Sequence, residues 1–238
     1  MHRISVFLLT ALLCGCAAKP VEPSLPTPSP TPVPFCVILD CGHGGFDGGA
    51  VGVDTGVIEA DLNLAVGLLV RDALKARGVC VRMTRTDGNA LAATKNADMH
   101  ARGELLSDPD AACTVSIHMN KFSDRRVAGP MAFYQAGSED GERLAACVIE
   151  RLTEALQKPS RRPNPANNFV TRIPTAPSVL VECGFLSNPE DERNLQDESY
   201  RRVLAEAIAD GVVSFLTAQA ESQNLIGEAS PLPTDVVQ

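Results

Sequence analysis

Tryptophan is absent from this chain, and aromatic residues make up only 4% of its 238 positions. A broad platform of rings for stacking on carbohydrate cannot be assembled from so few. Positive charge is also short: Lys and Arg number 21 against 29 Asp and Glu, a formal net charge of −8. Nucleic-acid binding draws its affinity from neutralised phosphates, so this balance argues against a nucleic-acid partner. The apolar run from Ile4 to Leu13 falls short of the roughly 20 residues that a membrane-spanning helix needs. No internal repeat is present. No Gly-Lys-Ser/Thr follows the glycine-rich stretch around residue 43, which excludes a phosphate-cradling loop of that type. Histidine occurs only four times. What remains is an ordinary globular composition, 45% apolar and 21% charged, at a length that suits one core with some sequence to spare.

The spare sequence lies at the ends. Arg3 precedes an apolar run from Ile4 to Leu13, which suits the core of a secretory signal. The run closes on Leu13-Cys14-Gly15-Cys16, similar to a bacterial lipobox, with Cys16 after a small residue as the lipid attachment point. Pro20, Pro23, Pro26, Pro28, Pro30, Pro32 and Pro34 follow. So dense a run of prolines cannot donate regular backbone hydrogen bonds and favours an extended spacer. Four segments are therefore expected: a signal and lipobox over 1–16, a Pro-rich linker over 17–34, a catalytic domain over 35–219, and a disordered tail over 220–238. The protein is expected to be exported and held on the outer side of the cytoplasmic membrane by an N-terminal lipid anchor, as a monomer.

Between the ends, short apolar runs alternate with helical periodicity. Strands are predicted at Cys36–Asp40, Val79–Arg85, Cys113–Ile117, Met131–Tyr134 and Ser178–Val181. Helices are predicted at Asp61–Arg77, with Gly78 as its stop, at Lys95–Leu106, at Glu142–Gln157, and at Ser199–Ala218 with Val203, Leu204, Ile208, Val212 and Phe215 inward. This order implies an α/β fold, an open, mostly parallel twisted sheet flanked by helices on both faces. Ligands of such sheets collect at the carboxyl ends of the strands. His43 follows the first strand there, and His118 and Glu182 end two others.

Each of these residues has a plain structural reading. His118 could be a satisfied core histidine. Glu59 precedes a helix, whose dipole favours a carboxylate whatever its use. Glu182 could make an ion pair. His100, in a polar helical stretch, reads as a solvated surface residue. Taken together, though, two histidines and a carboxylate make the ligand set of a catalytic zinc site, with a fourth position open for water.

Five strings in order narrow the choice: VILDCGHGGFDGGAVG, GVIEADLNLAV, VRMTRTD, TVSIHMN and PSVLVECGFLSNPEDE. Together they resemble the zinc-dependent N-acetylmuramoyl-L-alanine amidases, over about residues 36–215. The resemblance implies that His43, Glu59 and His118 bind one zinc ion and that Glu182 is the catalytic carboxylate. Asn120 and Asn168 are the candidate substrate contacts. The substrate implied is peptidoglycan, cut between the muramoyl group and L-alanine. The last block, with Arg161-Arg162-Pro163 and Asn167-Asn168-Phe169 before it, looks closest to the branch acting on spore cortex. Cys41 stands where the family usually has proline. A zinc carboxypeptidase, a non-catalytic wall-binding lipoprotein and a purely structural protein all fit less well, the last for the same reason as the second. A zinc carboxypeptidase usually begins its ligand set with His-x-x-Glu, whereas residues 43–46 read His-Gly-Gly-Phe. A non-catalytic wall-binding lipoprotein would have lost a ligand or the catalytic carboxylate, and all four are present.

After Cys16, cysteines remain at 36, 41, 80, 113, 147 and 183. Most fall on predicted buried strands or a helix face, where cysteine acts as a small apolar residue, so no disulfide framework is expected. Cys41 and Cys183, beside His43 and Glu182, are not needed as extra ligands.

Overall fold

The computed structural model describes residues 36–228, with side chains through 222, all within one unit spanning 34–238. The expected signal, Cys14, Cys16 and the Pro-rich segment lie outside the described residues. In chain order the elements are β1 (Cys36–Cys41), α1 (Glu59–Ala76), β2 (Cys80–Met83), α2 (Lys95–Leu106), β3 (Ala111–Asn120), β4 (Met131–Gln135), α3 (Glu139–Ala155), β5 (Asn164–Ala166), α4 (Phe169–Arg172), β6 (Ser178–Phe185), α5 (Pro189–Gln196) and α6 (Glu198–Glu228).

The strands form one sheet in the order β2-β1-β3-β6-β4-β5, parallel except where β4 meets β6. Every residue of β1 is buried, as a strand covered on both faces requires. Alternation divides its side chains. Val37 and Leu39 join the main core with Val66, Val70 and Leu74 of α1, Leu144, Val148 and Leu152 of α3, and Leu204, Ile208 and Val212 of α6. Ile38 turns the other way, into a smaller cluster with Leu106 of α2, Val170 of α4 and Leu180 of β6. Helices thus cover both faces, as the sequence pattern implies. Full burial stabilises each large apolar side chain by about 1.5–3 kcal/mol relative to exposure.

The same alternation sets up the functional face. In β3, Cys113, Val115, Ile117 and Met119 enter the main core, which leaves Thr114, Ser116, His118 and Asn120 on the α2/α4 side. In β6, Val179, Val181 and Cys183 enter the main core, and Glu182 falls on the same side as His118.

Several boundaries differ from the sequence reading. His118 and Glu182 are not strand ends: β3 and β6 run on, pairing His118 with Glu182 and then Asn120 with Phe185 across an irregularity in register. Glu59 is the first residue of α1 rather than a residue before it. Val203 does not point inward but is 42% exposed. The buried stripe of α6 passes through Leu204, Ala205, Ile208, Val212, Phe215 and Leu216, and Val203 lies off it. That helix also continues through Glu228, beyond the expected end at Ala218. Residues 220–228 of the expected tail are therefore helical, and 229–238 lie outside the described residues.

Candidate metal centre

The loop after β1 carries the first candidate ligand, and two arginines fix its course. Arg85, just past β2, donates from Nε to the Cys41 carbonyl (2.9 Å) and from Nη2 to those of Gly42 (3.0 Å) and Ala60 (2.7 Å). Arg102 of α2 donates to the carbonyls of Cys41 (3.1 Å) and His43 (3.1 Å). It also pairs with Asp40, whose carboxylate accepts from Thr84 Oγ1 (2.7 Å) and Ser116 Oγ (2.6 Å). Burial alone would push the Asp40 carboxyl up, but Arg102 and the two hydroxyls hold it below the usual range. The clamped loop turns sharply enough to put His43 at φ 62°, a left-handed conformation uncommon for a residue with a side chain.

Two glycines make room for the ligands. A Cβ on Gly42 would lie 2.2 Å from the His118 ring, and one on Gly49 would lie 2.5 Å from Glu59 Oε2. With that space free, three side chains converge. Glu59 Oε1 is 3.2 Å from His43 Nε2 and 3.0 Å from His118 Nδ1. The ligand atoms of all three lie within 4.8 Å of one another, and the imidazoles meet edge-on with centroids 5.1 Å apart.

His43 and Glu59 are oriented from behind. His43 Nδ1 meets Asp47 Oδ2 at 2.9 Å, the carboxylate–histidine support common at metal sites. Asp47 in turn pairs with Lys95. Glu59 Oε2 accepts from the Ala50 amide (2.7 Å), and Oε1 from the Met119 amide (3.2 Å) and Asn63 Nδ2 (3.2 Å). Burial would raise the Glu59 carboxyl, but His118 and His43 hold it well below the ordinary value. The His43 imidazole, pulled down by burial, is raised on balance by Glu59 and Asp47. Nitrogen and carboxylate oxygen donors converging on one point fit a borderline cation such as zinc.

Glu182 is different. It pairs with His118 in the strand register, yet among the described residues its Oε2 is buried without a hydrogen-bond partner. Burial pushes this carboxyl up to about 7, against the opposing pull of His118. A carboxyl poised there can accept and return a proton at neutral pH.

The four residues singled out from the sequence are thus brought together. A cavity of about 230 Å³, lined by Asp40, Gly42, His43, Asp47, Lys95, Asp98, Met99, Arg102, His118 and Val170, opens on one side of them. Asn120 and Asn168 do not line it. Asn120 Oδ1 accepts from the Lys121 amide (2.8 Å), and Asn168 stands before α4 without capping it. His100 is on the surface beside Glu104. The Cys41 sulfur faces Gly67 of α1, away from the ligands, and Cys183 is buried in the main core.

Sequence reasoning missed Asp40, Asp47, Asn63 and Arg102. Only Asp40 left a signal, as a charge closing an apolar strand. Glu192 was missed too. It accepts from the amides of Asp54 (3.0 Å) and Thr55 (2.8 Å), and so holds the loop that leads into Glu59.

Comparison with known proteins gives one answer. The family model described as N-acetylmuramoyl-L-alanine amidase matches residues 37–214. The germination-specific N-acetylmuramoyl-L-alanine amidase of Bacillus subtilis is 31% identical over 194 residues, covering 78% of this chain and 81% of that protein. The CwlD amidase of Clostridioides difficile, solved in complex with the GerS lipoprotein, superposes with a TM-score of 0.74 at 33% identity, covering 77% of this chain and 99% of that one. The catalytic domain of CwlV from Bacillus (Paenibacillus) polymyxa gives 0.70 at 32% identity, covering 77% and 98%.

Proposed function

We propose, since this chain belongs to the N-acetylmuramoyl-L-alanine amidase family, that it hydrolyses the amide bond between N-acetylmuramoyl residues and the L-alanine of peptidoglycan stem peptides. His43, Glu59 and His118 would hold one zinc ion. Bound there, zinc supplies a Lewis acid that polarises the amide carbonyl and acidifies water. The protein's own groups do the rest. Asp47 and Asn63 keep the His43 and Glu59 donors aimed inward. Glu182 takes the proton of the attacking water on its unpartnered Oε2 and returns it to the departing amine of L-alanine. One observation carries the reading: the convergent His43–Glu59–His118 set beside a buried carboxyl at about 7.

The germination-specific relative, with the Arg161–Pro163 and Asn167–Phe169 segments, supports spore cortex as the wall material cut. Asn120 and Asn168, outside the cavity, are proposed to contact the substrate where it extends beyond the reacting bond. We further propose a monomer held at the cell envelope through a lipid on Cys16, with residues 17–34 as spacer, 35–219 as catalytic domain and the tail after it.

Digestion of purified wall followed by mass analysis tests the reaction. Free stem peptides that begin with L-alanine are expected. Release of single residues from the carboxyl end of the stem would instead identify a carboxypeptidase, and intact wall would leave a binding lipoprotein.

A further inference from the structure

Cys36 is the first residue of β1 and Cys80 the first of β2, and the parallel register sets them directly opposite each other. Neighbouring strands run about 4.8 Å apart, inside the roughly 4.4–6.8 Å that a disulfide spans between Cα atoms. Both side chains turn the same way, and the two thiol sulfurs lie 3.0 Å apart. The other described cysteines are placed as packing residues: Cys41 under α1, Cys113 and Cys183 deep in the main core, Cys147 on α3. Apolar filling explains those four. It does not explain sulfur set against sulfur at the sheet's margin, where among the described residues β2 is an edge strand paired with β1 alone.

We propose that Cys36 and Cys80 form a disulfide in the exported protein, fastening the edge strand β2 to the residue at which β1 begins. The sequence reading expected unpaired thiols, because strand register cannot be seen in cysteine spacing. The two residues are 44 apart in sequence, and the loop they close carries His43 and Glu59. A cross-link of this kind stabilises chiefly by restricting the unfolded chain. It ties down the segment that brings two of the three ligands.

The chemistry balances through exchange with a second disulfide, either a small-molecule disulfide or that of an oxidoreductase. Cys80, the more exposed of the pair, attacks first as the thiolate and expels one thiol. Cys36, buried and pushed up to about 11 by burial and by Cys80 itself, then attacks the Cys80 sulfur and expels the second. Two thiols are oxidised, one disulfide is reduced, and the two protons leave on the released thiols. Export to an oxidising exterior is required; zinc and hydrolysis are not.

The test uses full-length protein in detergent, incubated with oxidised glutathione, denatured, alkylated, digested and mapped by mass. The expected product is one peptide pair joined through Cys36 and Cys80, with Cys41, Cys113, Cys147 and Cys183 alkylated. The oxidised protein should melt roughly 5–10 °C above the reduced form. The Cys80→Ser variant, altered at a half-exposed position, should melt alike with and without reductant. Alkylation of both Cys36 and Cys80 after oxidation would overturn the proposal, as would a cross-link from either residue to Cys113, or identical melting of the oxidised and reduced parent.

Discussion

Glu59 and Glu182 are carboxylates at the same site with opposite environments, and that contrast divides their work. Glu59 is surrounded by donors, so it stays charged and suits a cation. Glu182 has one oxygen without a partner, and burial brings it to about 7. His43→Ala, His118→Ala and Glu59→Ala should each lose tight zinc binding and activity together, read by metal analysis after dialysis. Glu182→Gln should keep one zinc and lose about 10²–10⁴-fold in turnover, with kcat falling more than KM. A Glu182→Gln enzyme with near-normal turnover would sink the proposed mechanism. The same environment also has a cost. A carboxyl raised from 4.5 to about 7 binds a proton more tightly folded than unfolded, so stability falls as pH rises through that window. In metal-free protein at pH 8 the penalty is at most about 3 kcal/mol. Metal-free Glu182→Gln should therefore resist urea better than the parent at pH 8, with the gap closing below about pH 4.5. Equal resistance at both pH values would show that Glu182 is not strained by burial.

At the scale of elements, β1, α1, α2, α3 and the start of α6 were legible because each carries a full apolar run or several helical turns. β5, α4 and α5 were not. Three, four and eight residues are too few for either period to declare itself. The carboxyl halves of β3 and β6 were lost for a different reason: His118 and Glu182 interrupt the apolar pattern just where the site requires polar side chains. Arg102 was illegible because its helix reads as polar, while the residue itself is buried against a strand more than 60 positions away. That link carries a prediction. Arg102→Met would leave Asp40 buried without its cation, a loss of about 3–5 kcal/mol in denaturant melts at pH 7. The folded pKa of Asp40 is depressed, so its contribution is complete above the unfolded value of about 3.9 and is lost as pH falls through the lower folded value. The gap between parent and variant should therefore narrow in acid. A gap that stays constant down to pH 3 would mean that the Asp40–Arg102 pair is not what holds β1 to α2.

For the whole molecule, the candidate metal centre draws on both sides of one sheet, with Glu59 from α1 on the main-core side and His118 from the opposite face of β3. The large apolar cluster fills the side covered by α1, α3 and α6, whereas His118 of β3 and Glu182 of β6 turn to the other. Outside the domain, the lipobox-like ending at Cys16 predicts that full-length protein partitions with membranes and that Cys16→Ala moves it to the soluble fraction. Unchanged partitioning together with unchanged mass would remove the lipid anchor. Within the domain, the apolar make-up of the main core sets what chelation can do. Hydrophobic burial in the main core does not pass through the metal, so zinc removal should abolish wall digestion while leaving the far-UV circular dichroism essentially intact. The melting temperature should still respond. Zinc held as proposed would bind the folded ligand set in preference to the scattered unfolded one, adding about 4 kcal/mol at a thousandfold excess over its Kd. For a domain of this size that is a rise of roughly 8–16 °C. Chelated protein should therefore give a cooperative melt at lower temperature, recover on adding zinc, and digest wall again. If chelation instead yields a non-cooperative melt with lost helix signal, the metal is a folding element and the independence of core and site is wrong.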